Sequence, residues 1–250
     1  MFAIDRHAWA NRWRDRHPGE RLLLAGGGLL ILSLLPVFTT APLILLVMTI
    51  ATVAGAGIPV RDLLAFMAIP VGFLLTGAPF LAVSLDLNDG IRLAFSPAGA
   101  MTALEVTLRS LAALSCLALL ALTTPVVELV ALLRRLGVPS AIVEIMLLIY
   151  RLIFLFMEQA ITGQHAQAAR QGYSTFGRSL RSLGQLVATL LQRALQRARR
   201  LETGLAARGF EGELRVLSPV HALSWPRLLR IGVLLGAVSL LALRLDRWLG

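Results

Sequence analysis

Five apolar runs, each near the length needed to cross a bilayer, constrain this chain more than any other feature. They fall at residues 22–37, 43–57, 63–83, 101–122 and 228–245. A spanning helix needs about 20 predominantly apolar residues, because hydrocarbon leaves no water to satisfy backbone N–H and C=O groups. The chain is 57% hydrophobic and 15% charged, against about 25% charged in a soluble domain. The expected fold is all-α: a polytopic membrane protein with about five transmembrane helices, joined by long amphipathic cytoplasmic helices. The first two runs are short, which calls for tilt or local bilayer adjustment.

The basic charge is all arginine: 24 basic residues and no lysine, for a net charge of +10. Without lysine no Walker A loop can form, so the chain does not hydrolyse ATP in the P-loop manner. In a membrane protein such charge belongs to cytoplasmic loops; we assign it there and not to nucleic acid. The single Cys116 lies inside an apolar run, which excludes an intrachain disulfide or a cysteine-based metal cluster. The sequence carries no HExxH, GxSxG, EF-hand or phosphate-binding glycine loop. Asp5, His7 and His17 do not have the spacing of a common metal site, and no metal or cofactor is expected.

Residues 1–21 read as a cytoplasmic amphipathic segment, with Trp9 and Trp13 on one face of a helix. Residues 22–123 hold four spans. The first contains Gly26-Gly27-Gly28, which permits close packing. A turn is expected at 38–42, and Pro70 should kink the third span. The weakly basic 84–100 reads as an outer loop. Glu105 and Arg109 form an i,i+4 pair in the fourth span, in the favourable order. Residues 124–217 read as a coupling domain. Thr124-Pro125 starts a short interfacial helix that Gly137 ends. Residues 218–250 hold the last span, with a GxxxG at Gly232 and Gly236.

The coupling domain contains two long helical patterns, 139–169 and 178–206. The first is very apolar over its first two thirds, then turns polar as it leaves the membrane. Glu144, Arg151 and Glu158 recur on it every seven residues, about 10 Å apart along the axis, so they cannot pair with one another. The second pattern is amphipathic: Leu183, Leu186, Val187, Leu190 and Leu191 on one face, with Arg193, Arg197, Arg199 and Arg200 on the other. Each pattern ends in nearly the same phrase, Ala168-Ala169-Arg170-Gln171-Gly172 and Ala206-Ala207-Arg208-Gly209-Phe210. An arginine on a helix end can grip a carboxylate bidentately, and small neighbours let a partner approach closely.

The two phrases resemble the paired Ala-Arg-Gly signatures of the transmembrane T component of energy-coupling factor (ECF) transporters. Residues 4–21 are similar to the cobalt-uptake subgroup, CbiQ, and so is the stretch from Leu122-Thr123-Thr124-Pro125 to Tyr150-Arg151. The resemblance covers nearly the whole chain. It implies a non-catalytic subunit in the cytoplasmic membrane, with its N-terminus cytoplasmic. It implies two cytoplasmic ABC ATPase subunits as partners, each seating one helix end through Ala169, Arg170 and Gln171 or through Ala207, Arg208 and Gly209. It also implies a separate substrate-binding membrane subunit with a small accessory membrane subunit. Gln171 stands where the family pattern has glycine. Nickel or a vitamin remains an alternative substrate. A membrane-anchored interaction protein that binds anionic lipid remains an alternative function.

Overall fold

The computed structural model describes residues 3–86, 92–95, 97–209 and 223–249. Asn88, Asp89, Phe210, Pro219 and His221 lie outside them. Nine helices are described: α1 Ala3–Ala10, α2 Pro18–Leu34, α3 Val37–Ile50, α4 Val60–Ala82, α5 Pro97–Thr123, α6 Val126–Arg135, α7 Ser140–Ala169, α8 Phe176–Ala206 and α9 Trp225–Leu249. A π-helical turn, Ala51–Gly55, extends α3. The chain divides into two units, Met1–Glu128 with Pro219–Gly250, and Leu129–Ser218, with the boundary inside α6.

Five helical stretches are long and apolar enough to cross a membrane: Val37–Gly55, Val60–Leu81, Pro97–Thr123, Ser140–Ala169 and Trp225–Trp248. Their membership differs from the sequence reading. α7 joins the set over its full length. α2 has 17 residues, about 26 Å of helix, and falls just short of it. The turn also moves. Leu35 takes an extended conformation ahead of Pro36, as a residue before proline prefers. The break therefore comes there, and Thr39, Thr40 and Pro42 all lie within α3. The segment read as an outer loop contains a two-stranded antiparallel hairpin, β1 Val83–Asp86 with β2 Arg92–Phe95, in the register Val83 to Phe95 and Asp86 to Arg92. Its signal was present in the sequence: alternating apolar residues on either side of Asn88-Asp89-Gly90.

The core of the first unit is built around α5. Ala112, Cys116, Ala118, Leu119 and Leu122 are buried there against Ile44 and Met48 of α3 and Leu24 and Ala25 of α2. Of the three consecutive glycines, Gly28 has the structural duty. A Cβ there would overlap Met48 and stand 3.1 Å from the Cys116 sulfur, whereas one at Gly26 would meet open space. A Cβ at Gly232 or Gly236 would likewise meet nothing, so that GxxxG packs no helix among the described residues. Glu105 and Arg109 pair at 3.5 Å on the exposed face of α5.

The N-terminal segment is a folded part of this core. α1 stops at Ala10, where Asn11 Nδ2 donates to the carbonyls of His7 and Ala8. The chain then turns back, and Arg12 N–H donates to Ala56 O at 3.0 Å. Trp13 is therefore buried against Gly55 and does not lie on a membrane surface with Trp9. The arginines cover the indoles: Arg14 lies 4.1 Å over the Trp9 ring and Arg16 4.5 Å over Trp13. His7 pairs with Asp62 at 3.2 Å. His17 caps α2 by accepting the Gly19 N–H at Nδ1.

Candidate coupling site

The site follows from how α7 and α8 end. α7 stops at Arg170, and Gln171 enters the left-handed region at φ +56°. Gln171 N–H donates to Ala168 O, and Gly172 N–H donates to Gln167 O, both at 2.9 Å. These are the two bonds of a Schellman cap, which satisfies helix-end carbonyls that would otherwise lack donors. α8 ends in the same way. Gly209 sits at φ +69° and its N–H donates to Ala206 O at 3.1 Å; the second bond of that cap would involve Phe210, outside the described residues. α6 closes with a third such cap at Gly137, φ +91°. In both repeated phrases the arginine thus directly precedes a left-handed residue, and Ala169, Arg170, Gln171, Ala207, Arg208 and Gly209 are all exposed.

The two phrases are not brought together. α7 and α8 pack antiparallel: Gln167 meets Ser182, Gly163 faces Leu186, and Leu148 and Leu152 share a cleft with Leu201 and Leu205. Arg170 stands beside the start of α8 and Arg208 just past its end. At 31 residues, α8 separates them by about 46 Å.

A hydrogen-bonded knot fixes the corner between the helices, and sequence reasoning missed it. Ser182, buried in the first turns of α8, donates through Oγ to Gly172 O at 3.0 Å. Gln167 Nε2 donates to Ser182 O at 3.0 Å, and Tyr173 OH donates to Gln167 Oε1 at 2.7 Å. Gly172 leaves room for this, since a Cβ there would lie 2.7 Å from Ser182 Oγ and 2.9 Å from Gln167 O. Thr175 caps the next helix by accepting the Arg178 N–H. In sequence, Ser182 and Gln167 read as ordinary polar residues of amphipathic helices, so nothing marked them.

Glu144, Arg151 and Glu158 lie along α7 as their spacing required. Glu144 is half-buried and the other two are exposed. Among the described residues their side chains form no ion pair. α7 also exposes Ile142, Ile145, Ile149, Ile153 and Met157, an apolar surface that the described chain leaves uncovered. α8 carries a second exposed stripe of Leu180, Leu183, Val187, Leu191 and Leu195.

The other polar centre is a buried ion pair in the first unit. Arg21, 1% exposed, holds Glu128 at 2.9 Å. Its guanidinium also donates to the carbonyls of Thr123, Arg14 and Arg16. Thr123 O accepts from Asn11 Nδ2 as well. The sequence placed Arg21 in a solvated basic segment. Its partner stands 107 residues away, beyond the reach of any local pattern.

Comparison with known proteins places the chain in a family. A family model described as cobalt transport protein, CbiQ, matches residues 10–218. The cobalt transport protein CbiQ of Rhodobacter capsulatus is 44% identical over 224 residues, covering 90% of this chain and 91% of the relative. The cobalt transport protein CbiQ of Salmonella typhimurium is 29% identical over 231 residues, covering 86% of this chain and 100% of the relative. With five helical stretches able to cross a membrane and this match along most of its length, the chain is a multi-pass membrane protein and belongs to the CbiQ family of cobalt transport proteins.

Proposed function

We propose that this protein is the coupling subunit of an ATP-driven, ECF-type cobalt importer in the cytoplasmic membrane, with its N-terminus cytoplasmic. The observation that carries the reading is the pair of exposed Ala-Arg helix ends, alike in backbone and about 46 Å apart. Two ends so separated suit two ATPase subunits, one seated on each. Arg170 and Arg208 would enter grooves bearing carboxylates. Bidentate pairs of this kind gain strength as water is excluded, and removing one partner of such a buried pair costs about 2–5 kcal/mol of binding. The substrate is assigned as cobalt because the relatives are cobalt transport proteins. The chain hydrolyses nothing itself; ATP is consumed by its partners.

Transmission follows from rigidity. The Gln167–Ser182–Gly172 knot ties the end of α7 to the start of α8. When the ATPases close on ATP, the two arginine anchors move with them. A tied hairpin passes that movement into α7 in place of bending at its corner. α7 would then act on a separate substrate-binding subunit, through its uncovered apolar face and the Glu144, Arg151 and Glu158 stripe. A small accessory membrane subunit would complete the complex.

The test is charge reversal at both ends. Arg170→Glu and Arg208→Glu should each weaken ATPase retention in a detergent pull-down, and the double substitution should abolish cobalt uptake while the protein still inserts. Uptake that survives the double substitution would overturn the proposal. Nickel competing equally with cobalt in the same assay would overturn the assignment of substrate.

A further inference from the structure

In the first unit a cleft of about 470 Å³ opens between the start of α2, the end of α3 and the start of α9. Its composition changes with depth. Arg16 comes from the turn before α2, and Arg227 and Arg230 from the start of α9, while Leu24, Ile50 and Leu234 line the cleft within the apolar helices. Ile50 and Leu234 are themselves exposed, so the apolar part opens sideways toward the bilayer. Trp225, at the first position of α9 and 72% exposed, stands where an indole marks the membrane–water boundary. Trp248 is exposed at the other end of α9, about 35 Å along the axis. That spacing matches the two interfaces of a bilayer whose core is ~30 Å thick, and it sets the arginines at headgroup depth.

The charge at this cleft is unbalanced. Arg21 also borders it but is committed to Glu128. Glu20 is the one carboxylate lining it among the described residues. One of its oxygens accepts from the Ser224 hydroxyl at 2.9 Å and backbone N–H at 3.3 Å, and the other lies 3.9 Å from Arg227. Three guanidinium groups against one carboxylate leave two positive charges unmatched. The Arg230 side chain makes no hydrogen bond or ion pair among the described residues. Burial first, then the charge of Arg227, pull the Arg16 guanidinium below its ordinary value; Glu20 opposes this and Arg230 adds to it.

We propose that this cleft is a binding site for an anionic phospholipid. Its phosphate lies among Arg16, Arg227 and Arg230, and an acyl chain runs along Leu24, Ile50 and Leu234. A phosphate supplies the missing negative charge and accepts several guanidinium N–H groups at once. The apolar wall is what separates a lipid from a free anion, because inorganic phosphate would leave that wall unfilled. Basic pockets between membrane helices take anionic headgroups for this reason. The site involves neither arginine of the Ala-Arg phrases, so its test is independent of ATPase coupling.

The experiment uses the purified full chain in detergent, titrated with phosphatidylglycerol or phosphatidylcholine and read by native mass spectrometry. The wild type should bind phosphatidylglycerol at least about tenfold more tightly than phosphatidylcholine, given roughly 1 kcal/mol for each basic residue engaged. Arg227→Gln with Arg230→Gln, both exposed, should remove that preference. Arg244→Gln, on the same helix far from the cleft, should keep it. Excess inorganic phosphate should fail to displace the bound lipid. Equal binding of the two lipids by the wild type would overturn the proposal. An unchanged preference in the double variant would do the same, and displacement by inorganic phosphate would reduce the cleft to a free-anion site. The lipid comparison and the phosphate competition are made on the wild type, so they stand whether or not the double variant folds.

Discussion

Replacing Arg21 with methionine tests the account of the buried ion pair. The guanidinium holds Glu128 at 2.9 Å with side-chain exposures of 1% and 8%, so solvent screens the pair little. It also donates to three carbonyl groups. Thr123 O keeps a second donor in Asn11, but Arg14 O, Arg16 O and the carboxylate each lose their bond to this guanidinium. Stranding one member of a buried pair costs about 3–5 kcal/mol. At roughly 2–4 °C per kcal/mol for a chain of this size, the unfolding midpoint should fall by about 10 °C. Glu128→Gln should cost less, about 1–3 kcal/mol, because Arg21 retains its carbonyl partners. The double variant Arg21→Met with Glu128→Met should recover much of the loss, since apolar pairs of similar volume replace buried ion pairs at little cost. The assay is thermal unfolding in detergent followed by tryptophan fluorescence, with Trp13 beside the pair as a natural reporter. A shift below about 3 °C for Arg21→Met, or a double variant no more stable than the single one, would refute the reasoning.

Two further substitutions probe the corner between α7 and α8. Gly172→Ala sets a Cβ 2.9 Å from the Gln167 carbonyl oxygen, which belongs to the backbone and cannot swing away; we expect a loss of about 1–3 kcal/mol and faster limited proteolysis between residues 170 and 176. Gln171→Gly relieves a left-handed residue of its Cβ and should stabilise the end of α7 by about 1 kcal/mol, read as slower amide exchange at Gln171 and Gly172.

Local rules made part of this molecule legible. The cap at Gly137, the Glu105–Arg109 pair and the helical stretches at 139–169 and 178–206 each depend on residues a few positions apart, and each is found as expected. The misses share a different cause. Pro42 and the Pro36 break competed for one turn, and the extended Leu35 decided it. The β1–β2 hairpin was hidden because 84–100 was judged by charge and not by alternation. α2 and α7 changed places among the candidate spans because the break at Leu35 ends α2 at 17 residues, while α7 stays one unbroken helix through the polar residues past Glu158. Arg21 and Glu128 lay beyond any sequence rule, since nothing local distinguishes a buried arginine from a solvated one. The segment that looked most like surface, residues 11–21, is pinned to the ends of α3 and α5 by Asn11, Arg12 and Arg21.

Gln171 illustrates how a departure in sequence can leave geometry intact. Glycine is usual where a helix ends in the left-handed region because it has no Cβ to clash with the following carbonyl. Gln171 at φ +56° and Gly209 at φ +69° nevertheless adopt the same conformation. The cost of the glutamine is conformational energy of about 1 kcal/mol, offset by the corner it closes. Gly172, next in the chain, supplies the close approach to Ser182 that fixes the turn. At the first end the need for glycine is thus moved by one residue and given to packing. At the second end Gly209 serves the cap alone, since a Cβ added there would meet no described atom within 4 Å. The two arginines therefore leave their helices from equivalent backbones, but among the described residues only the first is braced against a neighbouring helix. Under the proposed coupling, a difference between the ends should trace to that bracing. Gln171→Gly should then leave ATPase retention unchanged, whereas Gly172→Ala should weaken it.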